Sequence, residues 1–184
     1  MTIHLNRKTL GYFASFLVLL SLVLFGFLKS FEITSKGTFV LWENVIESSF
    51  EDVSKYSGFK VLFGITEIEK LENGQTLLTK VSNLNWVLLV TYLLGIVSML
   101  SLLINNKFAR KVSTITLLLA TVLVFLSPLF IDLFMNKEYL EAFTKNELIQ
   151  DFKMSYELLG AGVVSGCVLG FASLISSFTL LLKK

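Results

Sequence analysis

Residues 158–182 read LLGAGVVSGCVLGFASLISSFTLLL, twenty-five positions without one charged side chain. A helix needs about 20 apolar residues to cross roughly 30 Å of hydrocarbon, so this stretch alone predicts a transmembrane helix. Three further uncharged runs occur, at Leu10–Leu28, Leu84–Ile104 and Val112–Ile131, the last extended to about 134 by the apolar residues that follow. Barrel strands are about 10 residues long and alternate in polarity, whereas these runs are apolar on every face. The fold class that follows is an all-α transmembrane four-helix bundle, a single membrane domain of 184 residues with helices at about 10–28, 84–104, 112–134 and 158–182.

Charge sets the orientation. Residues 1–9, 105–111 and 183–184 carry Arg7, Lys8, Lys107, Arg110, Lys111, Lys183 and Lys184 and no acid, while 29–83 and 132–157 hold nine Lys and all fourteen Asp and Glu. Basic residues in short loops stay inside, so both termini are expected in the cytoplasm and the protein in a plasma membrane. The first run is longer than the 7–15-residue core of a signal peptide and lacks an A-x-A-like site, which favours a retained anchor.

Composition excludes much chemistry. One Cys and one His leave no disulfide framework and no Cys- or His-based metal site. The basic segments are too short to fold as domains, so neither a nucleotide site nor nucleic-acid binding is expected there. No run contains an ionisable residue of the kind that marks ion paths. No catalytic, cofactor-binding or metal-ligating residue is assigned. Asp132 and Pro128 at the outer end of the third run read as an interfacial carboxylate and a helix kink.

Two sets of residues carry information. Gly162, Gly166 and Gly170, spaced by four in the last run, form a small-residue face that lets another backbone approach closely. The partner is the chain's own bundle on the simpler reading, and a second copy or another membrane protein on the other. Cys167 within the same stretch reads as a small buried residue. The first outer loop, 29–83, is large enough to fold. Phe39, Leu41 and Trp42 suggest a short strand. Trp42, Val45, Ile46, Phe50, Val53 and Tyr56 recur at helical spacing. Phe59, Val61, Phe63 and Ile65 alternate as in a strand. Asn73-Gly74 marks a tight turn between 66–72 and 75–81. A small extracytoplasmic α/β patch of one helix and three strands results. In the second outer loop, 135–157, Leu140, Phe143, Leu148 and Phe152 share one helical face.

Four helices with both ends inside, a first outer loop of about 55 residues and a second of about 25 resemble claudin-type tetraspan proteins, whose first loop carries a Trp, then G-L-W, then two Cys. Leu41-Trp42 echoes that signature and both Cys are missing. The segment Gly58–Gly64, GFKVLFG, with Gly58, Phe59, Phe63 and Gly64 as its marked positions, resembles one found at the same place in small uncharacterised four-helix membrane proteins of low-GC bacteria. The 14 Lys to 2 Arg agree with an AT-rich genome.

The function expected is a non-enzymatic integral membrane protein with a structural, scaffold or accessory-subunit role, assembling with itself or another membrane protein through its outer loops and the glycine-faced fourth helix. The alternative is an oligomeric transporter or channel component, for which Ser98 and Ser101, or Ser165, Ser173 and Ser176, are the only polar stripes. A lipid-acting enzyme requires Asp132, Asp151 and Glu157 to converge outside the membrane.

Overall fold

The computed structural model describes residues 6–41, 46–70, 76–145 and 149–182. In chain order the elements are α1 (Arg7–Phe27), β1 (Lys29–Leu41), β2 (Ile46–Ser57), α2 (Gly58–Phe63), β3 (Thr66–Lys70), β4 (Thr76–Lys80), α3 (Trp86–Leu103), α4 (Lys107–Ile131), α5 (Lys137–Thr144), β5 (Ile149–Leu158) and α6 (Gly160–Leu181). Asparagine opens four of the helices. Asn6, Asn85, Asn106 and Asn136 each accept a backbone N–H of the first turn, from Lys8, Leu88, Phe108 and Glu138. Short amide side chains satisfy the orphan donors of a helix start in this way.

Helices α1, α3, α4 and α6 are long and apolar enough to cross a membrane. They close a ring in which α1 touches α3 and α6, and α4 touches the same two. The interior is filled by Ala14, Val18, Leu88, Leu117, Ala120, Val124, Leu169 and Ala172, each 0–1% exposed, while Phe13, Leu119, Leu129 and Phe178 point outward. Apolar side chains thus lie on both the inside and the outside, and the interior alanines let helix backbones approach closely. Arg7 Nη2 donates to the carbonyl of Leu182 at 2.6 Å. The beginning of α1 and the end of α6 therefore lie at one end of the bundle, as an even number of crossings requires.

Each helix interface carries a polar clasp. Ser21 and Ser165 join α1 to α6, with Oγ atoms 2.9 Å apart. Ser98 and Ser113 join α3 to α4 at 2.9 Å, Thr114 and Ser176 join α4 to α6 at 2.8 Å, and Ser15 donates across α1–α3 to the Met99 carbonyl at 3.3 Å. Helix α4 also runs through Pro128. That residue has no N–H for the carbonyl four positions back, and Ser127 Oγ donates to this carbonyl, that of Val124, at 2.6 Å.

At the other end stands a three-stranded antiparallel sheet in the order β2-β1-β5. Single residues, Leu28 and Leu159, separate β1 from α1 and β5 from α6. Leu159 N–H donates to the Ser30 carbonyl at 2.9 Å, and Ser30 Oγ donates to the Phe25 carbonyl at 2.7 Å. The sheet is thus a direct continuation of two bundle helices. A separate hairpin pairs β3 with β4, as expected around Asn73-Gly74, although those two residues and Trp42 lie outside the described residues.

Three local expectations are corrected. Residues 46–57 form a strand, not a helix, because they pair along the whole of β1 from Leu41↔Ile46 to Lys29↔Ser57. Residues 58–63 form a helix, not a strand: the side chain of Ser57 accepts from Lys60 N–H, and the adjacent Val61 and Leu62 are buried together while Phe63 is exposed. Residues 149–158 form the third strand of the sheet. Among the described residues of 135–157 the helix is Lys137–Thr144, and Phe152 lies on β5, so Phe152 does not share a helical face with Leu140.

Candidate functional site

A cleft of about 1040 Å³ opens among β2, α2, the β3–β4 hairpin and α5. Its floor is positioned by Asn136. Besides capping α5, this residue donates from Nδ2 to the Lys80 carbonyl and from its backbone N–H to Val81, both at 2.9 Å. The neighbouring bridge between Ser82 and Met135 continues the seam. The two outer segments are therefore stitched together where the cleft lies.

Tyr56, Lys60, Glu67, Lys80, Glu138 and Tyr139 supply its polar lining. The Tyr56 hydroxyl donates to Glu67 Oε1 at 2.6 Å, and Lys60 Nζ lies 5.2 Å from the centre of the Tyr56 ring. Burial, and then the hydrogen bond to Glu67, raise the Tyr56 phenol well above its ordinary value. Tyr139 is raised first by burial and then by the carboxylates of Glu67 and Asp52. Tyr156, on β5, is raised by burial and then by Asp132. The phenols stay neutral at physiological pH and act as hydrogen-bond donors. Two ammonium groups, two carboxylates and neutral phenols around an open cleft make a recognition surface. Among the described residues no three of His, Cys, Asp and Glu are grouped to hold a metal ion.

The residues singled out in sequence sit elsewhere and are structural in their contacts. A Cβ on Gly58 would fall 2.2 Å from the Phe25 carbonyl oxygen, and Gly64 holds φ at +102° with a Cβ position 2.8 Å from the Ser82 carbonyl oxygen. Phe59 stacks on Tyr92 with centroids 5.0 Å apart and meets the Phe27 ring edge-on. Segment 58–64 is a wedge between the outer ends of α1 and α3, and only its Lys60 reaches the cleft. In α6, Gly162 faces the Ser30 carbonyl and Leu158, Gly166 faces the Phe125 ring, and Gly170 lies near Thr121. The chain itself thus covers this glycine face. Cys167, expected to be buried, is exposed on the bundle surface.

The serine stripes are occupied as well. Ser98 and Ser165 are clasped across helices, and Ser173 and Ser176 are buried in packing. Asp151 and Glu157 are six residues apart on β5, about 20 Å at the rise of a strand, so the acids of the lipid-enzyme reading do not converge. The cleft residues are not legible in the sequence because they come from five elements, β2, α2, β3, β4 and α5, that only the tertiary fold brings together. One local signal existed: Phe152, Met154, Tyr156 and Leu158 alternate with Lys153, Ser155 and Glu157, which is a strand pattern. No family model matches the chain, and no curated protein matches it.

Proposed function

We propose that this chain is a non-enzymatic, multi-pass plasma-membrane protein, with both termini cytoplasmic, that presents the tyrosine-lined cleft to another protein at the outer membrane surface as a scaffold or accessory subunit. The observation that carries this reading is the cleft itself: about 1040 Å³ lined by Tyr56, Tyr139, Lys60, Lys80, Glu67 and Glu138, on elements stitched together by the bonds of Asn136 to Lys80 and Val81. Tyrosine gives large contact area at small entropic cost, and it concentrates at protein interfaces for that reason. The glycine face of α6 and the serine stripes are engaged within the chain, so assembly falls to the outer elements rather than to the fourth helix. The charge asymmetry supports the cytoplasmic termini. The claudin-type layout and the bacterial origin rest on the helix count, loop lengths and the Gly58–Gly64 segment.

The test is copurification from native membranes in mild detergent, comparing wild type with Tyr139→Ala and Lys80→Glu. A partner at fixed stoichiometry, lost in both variants while the monomer keeps its thermal stability, is the expected result. A wild-type protein that leaves native membranes as a lone monomer overturns the reading.

A further inference from the structure

The end of the bundle opposite the sheet holds a different site. A cavity of about 150 Å³ is lined by Arg7, Lys8, Tyr12, Leu102, Asn105 and Arg110, among others. Holding a water takes about 10–15 Å³ measured this way, so the space admits a polyatomic anion.

Arg110 is the decisive residue. It is 2% exposed, its Nη2 donates to Asn105 Oδ1 at 2.7 Å, and its Nη1 is buried with no hydrogen-bond partner among the described residues. A guanidinium is always charged and offers five donors, and a buried charge without a counter-charge is among the costliest arrangements in a protein. No Asp or Glu occurs in residues 1–9 or 105–111, so these segments supply no carboxylate to Arg110. The surroundings add positive potential instead. Arg7 and Lys8 stand beside it, and both α1 and α4 begin at this end, so the positive ends of their helix dipoles favour an anion there.

We infer that the cavity at the start of α1 and α4 binds a phosphoryl group, with Arg110 as its buried anchor and Arg7 and Lys8 at its rim. The group belongs to an anionic lipid headgroup or to free phosphate. Both present at least two phosphoryl oxygens that share negative charge, and a guanidinium fork can donate to such a pair. Position at the helix ends and the basic pocket between spans suit a headgroup.

Native mass spectrometry of the full chain in neutral detergent tests this, with phosphatidylglycerol, phosphatidylcholine and inorganic phosphate as three separate probes. The expected result is retention of phosphatidylglycerol about tenfold tighter than phosphatidylcholine, with Arg110→Gln erasing the difference, since one hydrogen bond to a charged group is worth about that factor. Lys111→Gln, an exposed cation at the same end outside the cavity, should leave retention unchanged. Should Arg110→Gln fail to fold, Lys8→Gln on the exposed rim carries the comparison, with a loss of about threefold. Binding of inorganic phosphate with no lipid preference, abolished by the same variants, supports the site with free phosphate as its source. Equal retention of all probes by wild type and variants overturns the inference, as does an equal loss on Lys111→Gln, which would mean diffuse charge rather than a built site.

Discussion

Ser21 on α1 and Ser165 on α6 each lie within hydrogen-bonding distance of the other's backbone carbonyl, Ser21 Oγ to Ser165 O at 3.0 Å and Ser165 Oγ to Ser21 O at 2.9 Å. Each hydroxyl has one proton, so the two donations to carbonyls satisfy both donors without use of the 2.9 Å Oγ–Oγ contact. The clasp between Ser98 and Ser113 differs. Ser98 Oγ reaches the Ser113 carbonyl at 3.1 Å, while Ser113 Oγ has Ser98 Oγ as its acceptor.

A double-mutant cycle separates the two clasps. At Ser21 and Ser165 each alanine substitution removes one donor and leaves the other bonded to backbone, so the costs should add, with coupling below about 0.6 kcal/mol. At Ser98 and Ser113, Ser98→Ala strands a fully buried hydroxyl, and the coupling should approach 1–1.5 kcal/mol. Thermal unfolding of the four single and two double variants in one detergent measures both. Equal coupling at the two clasps would show that the hydroxyl pairs, not the carbonyls, carry the interaction.

The wedge formed by 58–64 gives a second test. A Cβ at Gly58 would lie 2.2 Å from the backbone oxygen of Phe25, an atom that cannot swing aside. Gly58→Ala should therefore cost more than about 2 kcal/mol. Gly64→Ala, at φ +102° and facing the Ser82 carbonyl, should cost about 1–3 kcal/mol. Gly160→Ala, with nothing within 4 Å, is the control and should be close to neutral. Denaturation in detergent followed by tryptophan fluorescence reads all three, and a tolerated Gly58→Ala would refute the close approach.

The outer tyrosines predict a one-sided pH response. Tyr56, Tyr139 and Tyr156 are all raised above the ordinary phenol value of 10, burial being the first cause in each. A raised phenol favours the neutral form in the folded state. Its contribution is fully present below pH 10, the value in the unfolded chain, and is lost as pH rises beyond it. Phenolate absorbance should show these tyrosines titrating late, together with loss of the sheet signal in circular dichroism. Glu67→Gln removes a carboxylate that raises both Tyr56 and Tyr139, and should move the phenolate absorbance of these tyrosines to lower pH. An unchanged transition would mean that burial alone sets it.

Run length and the absence of charge located the four helices, because an apolar stretch of some twenty residues is long enough for a spanning helix. Periodicity failed where pairing decides. Ile46–Ser57 has apolar residues at helical spacing, yet Ser48, Ser49, Val53 and Ser54 are weak helix formers, and a partner strand thirteen residues long is available in β1. Phe59, Val61, Phe63 and Ile65 alternate over too few residues to separate the two periods. In the cleft, Tyr56 and Tyr139 are 83 positions apart. Neither has a neighbour in sequence that announces the other. The clasped serines were visible as polar positions but not as pairs, since which helices touch is set by connection lengths and packing.

The glycine face of α6 can be graded from its contacts. Alanine is worth about 1 kcal/mol over glycine in a helix interior, so the sign of each substitution depends on what the new methyl meets. At Gly170 it meets Thr121 Cγ2 at 3.6 Å, an ordinary contact, and Gly170→Ala should be neutral or stabilising. At Gly166 it meets the Phe125 ring at 2.8 Å, and Phe125 is 45% exposed, so the ring can move outward. Gly166→Ala should fall within about 1 kcal/mol of wild type. At Gly162 the methyl meets the Ser30 carbonyl oxygen at 3.1 Å as well as Leu158. That carbonyl is already fixed by the Leu159 N–H at the junction of sheet and helix, so it cannot give way as the Leu158 side chain can, and Gly162→Ala should destabilise by about 1–3 kcal/mol. Thermal unfolding should order them Gly170, Gly166, Gly162 from most to least tolerant. A face used to dock a second copy would instead show all three variants folding normally while an oligomer dissociates, which sedimentation in detergent would detect.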